Sequence, residues 1–281
     1  MQLGALCRMI KIEHSVFALP FAYIGMVLAA GGWPGLVPFV LITVAMVAIR
    51  TYAMTFNRLA DLQFDSANPR TKDRPLVTGE ISVRDARLFL AFTALVFVLA
   101  CAGLNPLCLA LSPVPLVVGA FYSYTKRFTP LCHFVLGSVL GLAPVASWLG
   151  VTPEFTITAW LFFFGVTFWV AGFDILYACQ DVDFDRGQKL HSLPADLGIP
   201  TALTLSTFCH VCTAIFFALA GANAGLGWGY WLVWAPVVAA LVWEHSLISA
   251  DDMSRVNMAF FTVNGVIGVS VFGGVLMGLY F

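Results

Sequence analysis

Charge is what this chain has least of. Asp, Glu, Lys and Arg make up only 10% of its 281 residues, against 60% hydrophobic. A soluble domain carries about 25% charged residues, so the composition excludes an ordinary soluble protein and points to a polytopic membrane protein. The net charge is −1 and no basic stripe is present, which leaves nothing to attract nucleic acid. A cleavable signal is missing as well: the apolar run after Met1–Lys11 contains Pro20 and lacks a small-residue cleavage site. The seven cysteines are odd in number and lie mostly inside apolar runs, where they act as small hydrophobes, so no disulfide framework is expected. Cys209-x2-Cys212 with His210 resembles a metal pair, but it sits mid-span without a second ligand pair, and zinc is not expected.

What is present is a series of apolar runs. A spanning helix needs about 20 mostly apolar residues. Candidates are 14–31, 36–56, 86–103, 106–124, 131–150, 156–178, 201–220, 228–248 and 257–279, nine in all, with the third and fourth separated only by Asn105-Pro106. The expected fold is all-α, a transmembrane bundle forming one domain over 1–281. The 14 Lys and Arg test this count. With the N-terminus inside, all fall in segments 1–13, 57–85, 125–130, 179–200 and 249–256 or in the flanking helix ends. The opposite loops contain no basic residue, and Glu154 is their only charge. The positive-inside rule therefore predicts N-in, C-out. Ser82-x-x-Asp85 reads as an N-cap, and Thr71–Gly79 as a loop rich in turn formers.

Two of the inner segments are long, and each follows a helix that ends in carboxylates. Asn57, Asp61 and Asp65 are spaced by four and would stack on one helix face, with Met54 and Arg50 above them. About 120 residues later Asp174, Ala178, Asp181 and Asp185 share a face, with Tyr177 beside them. Both helices run inward, so both clusters emerge on one membrane face. Arg50 and Asp174 lie more than a turn inside their helices, where a charge needs a partner or a wet cavity. Arg8, Lys11, Arg58, Lys72, Arg74, Lys126 and Arg127 gather at the same face. Acids alone suit a metal and bases alone suit an anion; together they suit a Mg²⁺–diphosphate complex. Simple inner-loop positivity suffices for Arg84, Arg87, Arg186 and Arg255. Glu244 and His245 are expected to pair with a basic loop residue, and His14 and His133 to hydrogen-bond between helices or at the interface.

Asn57-x3-Asp61-x3-Asp65 followed by Thr71-Lys-Asp-Arg-Pro-Leu-Val-Thr-Gly79 resembles the first signature of the UbiA-type intramembrane prenyltransferases. Asp174-x2-Tyr177-Ala-x2-Asp181-x3-Asp185 resembles the second. Arg8-x2-Lys11 and Tyr122-Ser-Tyr-Thr-Lys126-Arg127 are similar to further family elements, and the ordered match runs from residue 8 to about 198. The resemblance implies Mg²⁺-dependent transfer of a polyprenyl group from its diphosphate to an aromatic acid. It implies that Asn57, Asp61 and Asp65 hold one Mg²⁺ and that Asp181 and Asp185 hold another. Arg58, Lys72, Arg74, Lys126 and Arg127 would grip the diphosphate. Arg8, Lys11, Arg50 and Tyr177 would serve the acceptor, and Asp174 would orient it or take its proton. His191 lies in a loop, 189–198, resembling the family's cap over the diphosphate.

One position departs from the commonest pattern: Arg58 stands where many members have an acid. The opening Arg8-x2-Lys11-Ile-Glu13-His14-Ser-Val-Phe and the Arg58 variant resemble bacterial proteins grouped with 4-hydroxybenzoate polyprenyltransferases, which implies quinone synthesis in a bacterial inner membrane; a dihydroxynaphthoate is the alternative acceptor. The rival from another class is an ion-coupled transporter built on Arg50 and Asp174, but acids crowded at the inner helix ends favour headgroup chemistry. A CDP-alcohol phosphotransferase is excluded by the missing Asp-Gly…Ala-Arg motif. Neither donor chain length nor oligomeric state follows from the sequence.

Overall fold

The computed structural model describes residues 3–11 and 17–281. Glu13 and His14 lie outside the described residues, as does the start of the first expected span. Among the described residues no strand occurs, and the named elements are all helices joined by turns and loops. A short helix α1 (Leu3–Ile10) packs its Ala5, Leu6, Met9 and Ile10 on Leu76, Ile81 and Ala86. Next come α2 (Leu19–Ala30), α3 (Leu36–Ala60), α4 (Leu62–Ala67), α5 (Val83–Leu104), α6 (Pro106–Leu111) and α7 (Pro113–Thr125). The second half contains α8 (Cys132–Val151), α9 (Ile157–Ala178), α10 (Val182–Gly187), α11 (Leu193–Leu197), α12 (Ile199–Asn223), α13 (Trp228–Ser246) and α14 (Asn264–Tyr280).

Seven helical stretches among the described residues are long and apolar enough to cross a membrane. They are Leu36–Ala60, Val83–Leu104, Pro106–Thr125, Cys132–Val151, Ile157–Gly187, Ile199–Asn223 and Met258–Tyr280. The two other expected spans differ for separate reasons. The described part of the first is α2, whose 12 residues rise about 18 Å, less than a hydrocarbon core of about 30 Å. α13 has 19 residues, but Trp228, Tyr230, Trp231, Trp234, Trp243 and Glu244 dilute its apolar character. A belt of exposed apolar side chains rings the molecule, including Leu88, Phe92, Leu95, Leu99, Val117, Phe208, Val211 and Ile215. Water would not tolerate a belt of that extent, whereas lipid favours it. The chain is an integral membrane protein.

The local signals have clear physical origins. Ser82 caps α5 by accepting a hydrogen bond from Asp85 N, as its spacing predicts. The Asn105-Pro106 boundary is a cap of the same kind: Asn105 Oδ1 accepts from Cys108 N, and Nδ2 donates to Leu149 O at 2.7 Å. Glu244 turns inward instead of reaching a basic loop residue. It is fully buried and accepts from Asn264 Nδ2 at 2.7 Å, while His245 bonds His210 at 2.9 Å.

α9 is the central helix, packed on α8 and α12, and Phe162, Val166, Trp169 and Val170 on it are almost fully buried. Close approach of α8 depends on Gly137 and Gly141. A Cβ on Gly137 would lie 2.3 Å from Thr167 O, and one on Gly141 would lie 2.7 Å from Phe163 O. Small residues one turn apart let two helix backbones touch in lipid, where dispersion replaces the hydrophobic drive. This contact places the start of α8 beside the C-terminal end of α9.

Candidate functional site

The carboxylate clusters arise where α3 and α9 break. Asp61 separates α3 from α4 with φ −98° and ψ 9°. Asp181 closes a 3₁₀ turn (Cys179–Asp181) between α9 and α10 with φ −102° and ψ 8°. Both middle aspartates thus occupy the same sparsely populated bridge conformation, a correspondence between the two halves that no sequence repeat announces. At the first break the i→i−4 bonds continue, Asp61 N to Asn57 O at 2.9 Å and Asp65 N to Asp61 O at 2.8 Å. The stacked row of Asn57, Asp61 and Asp65 survives the bend.

A cavity of about 570 Å³ lies between the two clusters, lined by Asn57, Asp61 and Asp65 on one side and Asp174, Asp181 and Asp185 on the other. From this polar end it extends along Met54, Ala53, Met46, Ala45 and Ile42 of α3 toward Leu104, Phe155 and Trp160. Cys101, Cys108, Leu140 and Ala143 add to an apolar wall. The cavity is charged at one end and greasy along its length.

Each aspartate facing it meets a base. Arg70 donates through Nε and Nη2 to both oxygens of Asp181, at 3.1 and 2.6 Å, and through Nη1 to Tyr177 Oη at 3.3 Å. That contact joins the loop after the first cluster to the second cluster directly. Arg74 Nη1 donates to Asp65 at 2.6 Å, and Lys126 Nζ lies 2.9 Å from Asp185, which Ser192 Oγ also bonds at 3.0 Å. Arg127 lies 3.6 Å from Asp61, donates to Ala60 O at 2.6 Å and stacks on Tyr124. Asn57 Nδ2 donates to Asp61 at 2.7 Å, while its Oδ1 accepts from Arg58 at 2.9 Å.

Burial pushes the Asp61 carboxyl above its ordinary range, and the facing Asp65 carboxylate pushes it the same way. Burial opposes charge on Lys126, but Asp185 outweighs it, and the ammonium is held above its usual value. The same balance, with Asp181 prevailing over burial, strengthens the charge on Arg70.

The remaining sequence candidates are distributed less evenly. Arg58 is buried, lines the cavity and also donates to Met9 O at 3.4 Å. Arg50 lines the cavity too, but its Nη2 donates to Lys11 O at 2.7 Å and its Nη1 to Ile10 O, bracing the C-terminal end of α1. Lys11 lines the cavity, its ammonium 5.7 Å from the Phe261 ring centre. Tyr177 lies 4.2 Å from the Phe260 ring and lines the cavity with it. Arg8 and Lys72 are not brought to the site. Arg8 pairs with Glu80 at the surface, and Lys72 is exposed outside the cavity. His191 bonds Asp196 and does not line the cavity.

Two residues that sequence reasoning did not assign to the site belong to its wall, Arg70 and His133. Arg70 is one of three bases within five residues, and which of them faces inward is set by the loop: Asn68 Oδ1 accepts from Arg70 N at 2.9 Å in an Asx turn. His133 Nδ1 lies 2.7 Å from Asp174 Oδ2, a contact that exists only because α8 and α9 cross closely.

Among the described residues no three His, Cys, Asp or Glu side chains converge tightly enough to hold a metal alone. That suits Mg²⁺, which takes one or two carboxylates and fills its octahedron with water and phosphate oxygens. The acids and bases of this cavity neutralise one another, and a Mg²⁺–diphosphate would satisfy both sets at once. Fold and site together define an integral membrane protein built around a chamber that is charged at one end and has an apolar extension.

The family model of the UbiA prenyltransferase family matches residues 18–266, and the chain belongs to that family. It is 31% identical over 258 residues to a 4-hydroxybenzoate octaprenyltransferase of Methylobacillus flagellatus, covering 92% of this chain and 86% of the relative. The apo structure of a UbiA homologue from Aeropyrum pernix K1 superimposes with a TM-score of 0.86 at 33% identity, over 94% of this chain and 98% of the other. A UbiA homologue from Archaeoglobus fulgidus bound to GPP and Mg²⁺ shares the fold, with a TM-score of 0.73 at 20% identity over 97% and 99% of the two chains. The protein is a membrane-embedded prenyltransferase.

Proposed function

We propose that this enzyme transfers a polyprenyl group from a polyprenyl diphosphate to an aromatic acid, 4-hydroxybenzoate, in quinone biosynthesis. The carrying observation is that Asp65, Asp181 and Asp185 pair with Arg74, Arg70 and Lys126 at the polar end of one cavity that continues as an apolar channel. Relatives at 27–31% identity named 4-hydroxybenzoate octaprenyltransferase support the acceptor and a long donor. In this reading the chain is a single domain of nine spans, N-in and C-out, with α2 and α13 completing the seven longer ones. Its site faces the cytoplasm from a bacterial inner membrane.

Asn57, Asp61, Asp65, Asp181 and Asp185 would hold Mg²⁺, which supplies charge to stabilise the departing diphosphate. Arg58, Arg70, Arg74, Lys126 and Arg127 take its remaining negative charge. The allylic C–O bond breaks toward these cations, and the electron-rich ring carbon forms the new C–C bond. Phe173, Tyr177 and Phe260 line the chamber and keep water from the allylic centre. Lys11 is placed to meet the acceptor carboxylate, and Asp174 to orient the ring or accept the proton that leaves it.

The purified protein with Mg²⁺, a labelled polyprenyl diphosphate and a panel of aromatic acids should give prenylated 4-hydroxybenzoate. Product should vanish with EDTA and in Asp61→Asn or Asp181→Asn. Diphosphate left intact with every acid would sink the proposal.

A further inference from the structure

We infer that His133 is a positioning residue that fixes Asp174 toward the acceptor, an inference resting on the acceptor reading of Asp174 above. The argument begins with an atom that can act in only one way. The backbone N–H of Leu193 points at His133 Nε2 from 3.3 Å, and a peptide N–H only donates. Nε2 must therefore accept, which places the ring proton on Nδ1. That nitrogen is 2.7 Å from Asp174 Oδ2, so the proton is donated to the carboxylate. The imidazole is held in one tautomer and one orientation, as a ring that only filled space would not need to be.

Burial gives the contact a direction. The His133 side chain is 2% exposed while that of Asp174 is 24% exposed, and Asp174 lines the cavity. One carboxylate oxygen is thus tied down from behind, and the group opens toward the chamber. Gly137 and Gly141 bring α8 onto α9 and so set the distance between the two side chains. The anchor comes from a segment already attached to the diphosphate end. His191 N donates to Lys126 O at 2.7 Å, Ser192 Oγ to Asp185 Oδ2 at 3.0 Å, and Leu193 N to His133. Three successive residues brace the donor cation, a donor carboxylate and the imidazole behind Asp174. Misplacing an orienting group by an ångström costs about 100-fold, so losses of about 10–100-fold are expected when His133 is cut back.

The test compares His133→Ala, His133→Asn, His133→Gln, Asp174→Asn and the double variant His133→Ala/Asp174→Asn in prenyl transfer, with donor and acceptor varied separately. Asn keeps a donor where Nδ1 stood; Gln offers its amide only where Nε2 stood. His133→Ala and His133→Gln should lower kcat/KM for the aromatic acid about 10–100-fold, with the donor KM within about threefold of native. His133→Asn should restore most of the loss, and the double variant should be no worse than Asp174→Asn alone. Equal losses toward donor and acceptor, additive losses in the double variant, or unchanged kinetics in His133→Ala would overturn the inference. If His133→Ala yields no folded protein, the comparison of Asn with Gln decides: equal kinetics in the two would overturn it. A native enzyme that prenylates nothing counts against the proposed function instead, and that result is visible without any variant.

Discussion

Asp61 carries a conflict between stability and chemistry. It is buried beside Asp65, and its carboxyl is held above the ordinary value of 3.8. A carboxyl raised in the folded state binds its proton more readily there than in the unfolded chain. Ionised Asp61 therefore destabilises the resting fold at pH above its folded pKa, and the penalty fades as pH falls through that value. Asp61→Asn should raise the thermal midpoint of metal-free protein at pH 7, with the gain shrinking on acidification, while activity is lost. A lower midpoint at pH 7 would contradict this. The same trade is common where a site needs groups the fold would rather not bury. Around Asp61 the spacing of Asn57, Asp61 and Asp65 was legible in the sequence, because i→i−4 bonding preserves it across the break. The partner of each acid was not. Arg70, Lys72 and Arg74 are chemically alike in the sequence, and only the Asx turn at Asn68 decides that Arg70 and Arg74 face inward while Lys72 faces out.

At the scale of elements, the site depends on how closely α8 can lie against α9. The Gly137 position leaves no room, since a Cβ there would meet the Thr167 backbone, which cannot step aside as a flexible side chain would. Gly137→Leu should cost about 1–3 kcal/mol or more of stability, and the separation of the helices should break the His133–Asp174 contact. Gly273→Ala, on α14 where a Cβ would meet nothing within 4 Å, is the matched control and should be neutral or stabilising. Thermal unfolding in detergent measures both, and equal midpoints for the two variants would refute the packing argument. The start of α5 was readable, since Ser82 caps it as its spacing suggests, whereas Asn105-Pro106 marked only a boundary and the cap that Asn105 forms there emerged from the structure. The breaks at Asp61 and Asp181 were not readable. An i, i+4 row of acids looks the same whether the helix runs on or bends within it.

For the whole molecule, the distribution of Lys and Arg predicts which loops lie inside. A reporter active only outside the cytoplasm should be active when fused after Gly225 and silent when fused after Phe128. The opposite pattern would reverse the orientation, and with it the side from which the headgroup substrates enter. Composition alone determined that this chain lives in lipid, because 10% charge cannot clothe a soluble surface. Spacing determined the two acidic clusters, since each is local to one helix end, and the family resemblance carried by their order implied the reaction class. Tertiary structure decided who pairs with whom: Arg70 with Asp181, His133 with Asp174, and Arg8 with Glu80 away from the site. The reason is physical. Ion pairs and hydrogen bonds need atoms within about 3 Å, and across 40 to 110 residues of sequence that distance is set by helix crossings, not by spacing along the chain.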